Sequence, residues 1–148
     1  MASFSYIPIQ LVDGASNAIL NTVIGCPKGY VLHREGSGIV TLRGIVNNPC
    51  ANFARYKCTF NGNIAIPEEG TVGEISMALS LNGEALLASL ARVTPAAVDE
   101  YFNITCTDII DVPRGCCPTM AIRNTSTVDG SPVAINLQNA NFTIDRIA

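Results

Sequence analysis

Residues 55–66 read Arg55-Tyr56-Lys57-Cys58-Thr59-Phe60-Asn61-Gly62-Asn63-Ile64-Ala65-Ile66. Apolar and polar side chains alternate here with a period of two. Tyr56, Cys58, Phe60, Ile64 and Ile66 share one face, and Arg55, Lys57, Thr59, Asn61 and Asn63 share the other. A helix cannot gather the first set into one stripe, because its neighbours recur at three and four residues. The stretch is therefore a strand with one buried face.

Outward along the chain the same pattern repeats. In Glu74–Asn82 the inward set is Ile75, Met77, Leu79 and Leu81, and Asn82-Gly83 then supplies a two-residue turn that tolerates positive φ. Further turn signals stand at Gly70, Gly73, Pro113-Arg114-Gly115 and Asp129-Gly130-Ser131-Pro132. They divide the chain into about ten strands: 5–11, 18–24, 30–34, 39–46, 55–66, 74–81, 85–93, 100–112, 119–124 and 133–147. Short strands at near-regular spacing indicate an all-β antiparallel sandwich. Glu84–Arg92 has good helix formers and could be a short helix, but a strand keeps the meander intact. Residues 1–25 read as an N-terminal arm or first strands that could anchor the protein, and 26–148 as the main domain. The expected core holds Tyr56, Cys58, Phe60, Ile64, Ile75, Met77, Leu79, Phe102, Ile104, Ile122, Ile135, Phe142 and Ile144.

Composition narrows the function. Of 148 residues, 48% are apolar and 14% charged, with net charge −3 and no Trp. The charged fraction is well below the usual ~25%. No Lys/Arg cluster exists to neutralise phosphates or lipid headgroups, which argues against nucleic-acid and membrane partners. No apolar run reaches the ~20 residues of a transmembrane helix. Met1-Ala2-Ser3-Phe4 does not begin like a signal peptide.

Chemistry-bearing residues are sparse. Six cysteines stand at 26, 50, 58, 106, 116 and 117. Their spacing does not fit a zinc site, and three disulfides or free thiols both remain open. Cys58 and Cys106 look like core residues, and Cys116-Cys117 like exposed or intersubunit thiols. His33 is the sole histidine and reads as a surface or interface residue. Glu68-Glu69 and Asp99-Glu100 read as solvated turn acids. Asn103-Ile104-Thr105, Asn124-Thr125-Ser126 and Asn141-Phe142-Thr143 match the glycosylation pattern, a match expected by chance in a chain rich in Asn and Thr. No catalytic constellation, metal site or cofactor fingerprint is found, so a non-enzymatic protein is expected.

Several segments carry a resemblance. These are Ala54–Phe60, Gly73–Leu79 with Asn82-Gly83, Tyr101–Ile104, Val112–Gly115 and Ala140–Ile147. They resemble the tumour-necrosis-factor-like jelly roll shared with the complement q subcomponent head. The resemblance is nearest to the C-terminal domains of bacterial collagen-like spore-surface glycoproteins and to related phage decoration proteins. It implies a jelly-roll sandwich that assembles as a homotrimer. The implied function is a structural decoration or head-fibre protein on a virion surface, with a capsid or other particle-surface protein as partner. The alternative is a spore- or cell-surface structural protein or adhesin whose trimer binds a carbohydrate or host receptor. Tyr101 and Tyr56 are the aromatics expected at the trimer interface.

Overall fold

The computed structural model describes residues 1–25, 29–44, 50, 52–115 and 117–147. Its fourteen strands are β1 Ala2–Tyr6, β2 Gln10–Val12, β3 Asn21–Ile24, β4 Val31–His33, β5 Val40–Leu42, β6 Phe53–Ala65, β7 Ile75–Leu81, β8 Glu84–Ala85, β9 Ala91–Val93, β10 Phe102–Pro113, β11 Thr119–Asn124, β12 Thr127–Val128, β13 Ser131–Pro132 and β14 Ile135–Arg146. Two antiparallel sheets pack face to face. One runs β10-β6-β14-β1-β3, with β2 also on β14. The other runs β4-β5-β11-β7-β8, with β9 also on β7.

The alternation of β6 places its even residues inward, and Tyr56, Cys58, Phe60 and Ile64 are fully buried. Gly62 falls on the same face, where a Cβ would lie 2.9 Å from Leu137 Cδ1 and 3.1 Å from the Phe60 ring. A side chain there would displace the core, which explains the interruption in the apolar series. The expected core is buried throughout except Phe102, which is half-exposed at the start of β10. Asn82-Gly83 and Asp129-Gly130 both carry positive φ in pairs, as tight hairpin turns require.

Five expectations are refined or changed. Residues 1–25, read as an arm or first strands, are built into the sandwich as strands: β1 pairs with β14 over five residues, and Ala2, Phe4, Val12, Ala18 and Leu20 lie in the core. The predicted 5–11 strand is broken around Pro8 into β1 and β2, since proline has no N–H for the ladder. In the 85–93 segment, a single 3₁₀ turn at Leu87–Ser89 separates β8 from β9. Its Ser89 hydroxyl accepts the Leu79 N–H at 2.9 Å, which pins the turn to β7. The outward face of β7 is buried as well as the inward one. Arg123, opposite Ala78, sends its guanidinium along that face to the Gly83 carbonyl, 2.9 Å away.

His33 supplies the fifth change. Its side chain is 2% exposed, so it is no surface residue. Nε2 donates to the Ser37 carbonyl at 2.8 Å, Nδ1 lies 2.8 Å from the Thr22 hydroxyl, and the ring sits 4.8 Å from that of Phe4. Glu35 accepts the Thr22 N–H at 3.0 Å, and hydrogen bonds from Thr22 hold its carboxyl below the ordinary value. These contacts tie the β3 edge of one sheet to the β4 edge of the other. The histidine is a structural clasp.

Cys58 and Cys106 are buried free thiols, whereas Cys117 is exposed. Burial pushes Cys58 up to about 12 and Cys106 up to about 11. At pH 8 about one Cys58 side chain in ten thousand is then a thiolate. Iodoacetamide at pH 8 should alkylate Cys117 in the native protein and reach Cys58 and Cys106 only after denaturation, as read by peptide mass spectrometry. Equal native labelling of Cys58 and Cys117 would contradict this packing.

Candidate functional site: the polar face of the larger sheet

The outer face of the β10-β6-β14-β1 sheet gathers side chains from strands far apart in sequence. Register places Ser3, Thr143, Thr59 and Thr107 in one row across four strands. The next row is Ser5, Asn141, Asn61 and Thr105, and beyond it Asn63 stands between Gln138 and Asn103. Rows lie about 6.8 Å apart along the strands, and strands about 4.8 Å apart across them. No member of these three rows carries a charge. Solvent-facing sheet surfaces ordinarily hold Lys, Glu and Arg in quantity.

The lattice is partly pre-ordered. Asn103 Nδ2 donates to Asn61 Oδ1 at 2.7 Å and to Asn63 Oδ1 at 3.1 Å. Thr107 donates to the Cys58 carbonyl at 3.1 Å, and its hydroxyl lies 3.2 Å from that of Thr59. Thr143 donates to Asn141 Oδ1 at 3.2 Å. The amide oxygens of Asn61, Asn63 and Asn141 are each engaged in this way. Charge returns at the border toward the N-terminal end of β6. Lys57 stands opposite Asp145, and Arg55 meets Asp111 through two bonds of 2.7 and 3.0 Å. That guanidinium holds the Asp111 carboxyl below its ordinary value. Arg55 also stacks over the Phe53 ring at 4.9 Å.

The residues singled out from sequence do not meet here. Tyr56 cannot face a partner subunit: it is fully buried, and its hydroxyl donates to the Arg43 carbonyl, with that of Tyr30 3.2 Å away. Tyr101 is half-buried in the loop before β10. Cys117 is exposed, and Cys116 lies outside the described residues. Asn124 is fully buried and bonded on every side, which removes it as an attachment point for sugar, while Asn103 and Asn141 are exposed lattice members. Among the described residues no group of three His, Cys, Asp or Glu side chains could hold a metal ion. No helix among them is long and apolar enough to cross a membrane.

No known family profile matches the chain, and no curated protein matches it. Among solved structures it is similar to the CBM22-1 xylan-binding domain of Xyn10C from Paenibacillus barcinonensis. The match has 10% identity, covers 99% of this chain and 87% of that one, and has a TM-score of 0.36. That score is too low to carry an argument about function. These findings overturn the family expected from the sequence. No tumour-necrosis-factor-like, spore-glycoprotein or phage profile matches the chain, which withdraws the support that the expected family had. The virion decoration reading falls with that resemblance. The trimer and capsid partner expected with it lose the same support, and Tyr56 is already committed to the core.

Proposed function

We propose that this chain is a non-catalytic glycan-binding module that recognises an uncharged polysaccharide on the outer face of its larger sheet. The observation that carries the reading is the charge-free Ser/Thr/Asn lattice across β1, β14, β6 and β10. A saccharide presents many neutral hydroxyls, each both donor and acceptor, and the lattice offers matching amide and hydroxyl groups at fixed spacing. Protein partners are ordinarily met with aromatic and apolar anchors, and these rows contain none. Nucleic acid is ordinarily met with cations, which stand only at the border. In the absence of an aromatic platform, recognition rests on hydrogen bonds and on the breadth of the sheet.

The same proposal includes a jelly-roll connectivity. With β1, β5, β6, β7, β9, β10, β11 and β14 counted one to eight in chain order, one sheet reads 1-8-3-6 and the other 2-7-4-5. That order is two nested Greek keys, which leaves a broad uninterrupted outer face. Placement on a cell or spore surface, as part of an adhesin or structural coat, suits such a module.

Affinity electrophoresis through gels loaded with soluble neutral polysaccharides, xylan and dextran among them, tests the reading. At least one should retard the protein. Replacing Asn61 and Asn141 together by Ala should weaken retardation roughly tenfold, the worth of one to two hydrogen bonds. A native protein that runs unretarded through every neutral polysaccharide would contradict the proposal.

A further inference from the structure

The edges of the two sheets are guarded unequally. Strands β2, β3, β4, β8 and β9 each pair on one side only, and each holds two to four residues. Edges that short offer little ladder to a newcomer. Among the described residues β10 also pairs on one side only, with β6, but it holds 12 residues and keeps one register from Phe102 to Pro113 with no bulge. It carries no Lys or Arg. The phase of its backbone groups is fixed by the next residue: the Arg114 N–H donates to the Asn52 carbonyl at 3.2 Å, one step beyond the Pro113–Phe53 pair. Even-numbered residues therefore turn N–H and C=O toward β6. Asn103, Thr105, Thr107, Ile109 and Asp111 turn theirs away from the sheet. Pro113 shares that outward phase, where the β6 ladder needs no N–H from it. The side chains of the same five residues stand on the exposed outer face, and Ile109 is 55% exposed there.

We infer that two copies of this chain pair edge to edge through β10, antiparallel about a two-fold axis at Thr107. In that register Asn103 faces Asp111 of the second copy, Thr105 faces Ile109, and Thr107 faces its own counterpart. All five outward residues of each copy enter the ladder, which gives about ten backbone hydrogen bonds. No like charges meet, since Asp111 faces Asn103 and Asp108 faces Cys106. An axis one residue earlier leaves Asp111 opposite Tyr101, outside the strand. An axis one residue later sets the two Asp108 carboxylates against each other. Hydrogen-bond phase, strand length and charge thus select a second copy in one register. The Ile109 N–H donates to Asp108 Oδ1 at 2.8 Å, and on pairing it exchanges that acceptor for the Thr105 carbonyl of the second copy. The contact is isologous and closes as a dimer. It sets the two outer faces side by side, so the Ser3, Thr143, Thr59 and Thr107 row runs on into the same row of the second copy. The pairing rests on backbone groups and stands or falls independently of the glycan reading.

Sedimentation velocity of the native chain and of three Thr107 variants tests it. The 15.6 kDa chain should sediment as a dimer at about 0.3 mM and dissociate on dilution to about 1 μM. Thr107→Pro removes an N–H that faces away from β6, so it should keep native circular dichroism and weaken association more than about tenfold. Thr107→Lys and Thr107→Asp each set like charges face to face across the axis, and each alone should associate about fivefold more weakly. Mixed, the two should form heterodimers of about native strength, a rescue that an axis at any other residue does not give. A native chain that is monomeric throughout would overturn the inference. So would a natively folded Thr107→Pro that still dimerises, or Lys and Asp variants that fail to rescue each other while both keep native circular dichroism.

Discussion

Asn124→Asp should destabilise the fold by more than about 4 kcal/mol at pH 7, although the two side chains have the same shape. Asn124 is fully buried at the end of β11. Its Nδ2 hydrogens are shared among the carbonyls of Val12, Asp13 and Val133 at 3.0, 3.2 and 2.8 Å. Its Oδ1 accepts the Ser126 N–H at 3.0 Å, and Ser126 in turn takes the Ser76 N–H at 2.9 Å. One amide thus joins the ends of β2, β11 and β14 and, through Ser126, the start of β7. An aspartate would place a carboxylate oxygen against three carbonyl oxygens in a water-poor site. That environment raises the folded-state pKa of the new carboxyl. The part of the penalty due to ionisation is therefore full above that pKa, shrinks as pH falls below it, and is gone below the unfolded value of about 3.9, leaving the smaller cost of the donor that a neutral carboxyl lacks. Urea unfolding at pH 7 and pH 4 measures both. A variant as stable as the native chain at pH 7 would show that the amide is not the hub described.

Phe60→Ala should cost about 3–5 kcal/mol and lower the melting temperature by roughly 10–15 °C. Phe60 is fully buried at the centre of β6, opposite Phe142 on one side and Cys106 on the other. Its ring also fills the space left open by Gly62. The surrounding sheet is fixed by ladders on both sides and cannot collapse into the void, which places the cost in the upper part of the usual range. Phe60→Leu should recover more than half of the loss. Calorimetry decides, and an unmoved melting temperature would mean that this face of β6 is not the core.

The alternation of Thr59, Asn61 and Asn63 with Phe60 and Ile64 was enough to orient β6, because period two specifies which side chains share a face. It could not specify what that face meets. Asn61 acquires a function only when Asn141, Ser5 and Thr105 are set beside it, and those neighbours lie 80, 56 and 44 residues away in sequence. A pairing that distant leaves no local periodic mark. The burial of Ser76, Ala78 and Ser80 was hidden for a related reason: their partners, Thr125 and Ser126 for Ser76, Arg123 opposite Ala78 and Ala121 for Ser80, lie on or just after a strand reached after a long excursion through the other sheet. His33 and Asn124 show how polar residues mislead. Each sits near turn residues, which read as exposed, yet each bridges elements that sequence does not place together. The short sequence matches that pointed to a trimeric decoration protein encode alternating strands and turns. Any antiparallel sandwich needs those features, so they could not choose among sandwich families.

The polar sheet face is the central claim, and amide chemical-shift mapping tests it most directly. A 15.6 kDa chain is well within range of the method. With the polysaccharide that retards the protein titrated against labelled chain, the shifts should concentrate on Ser3, Ser5, Thr59, Asn61, Asn63, Asn103, Thr105, Asn141 and Thr143. Ile66, Glu69 and Val133, around the cavity beyond the C-terminal end of β6, should stay unmoved. Shifts confined to that cavity, or to the outer face of the β5-β11-β7 sheet, would contradict the account.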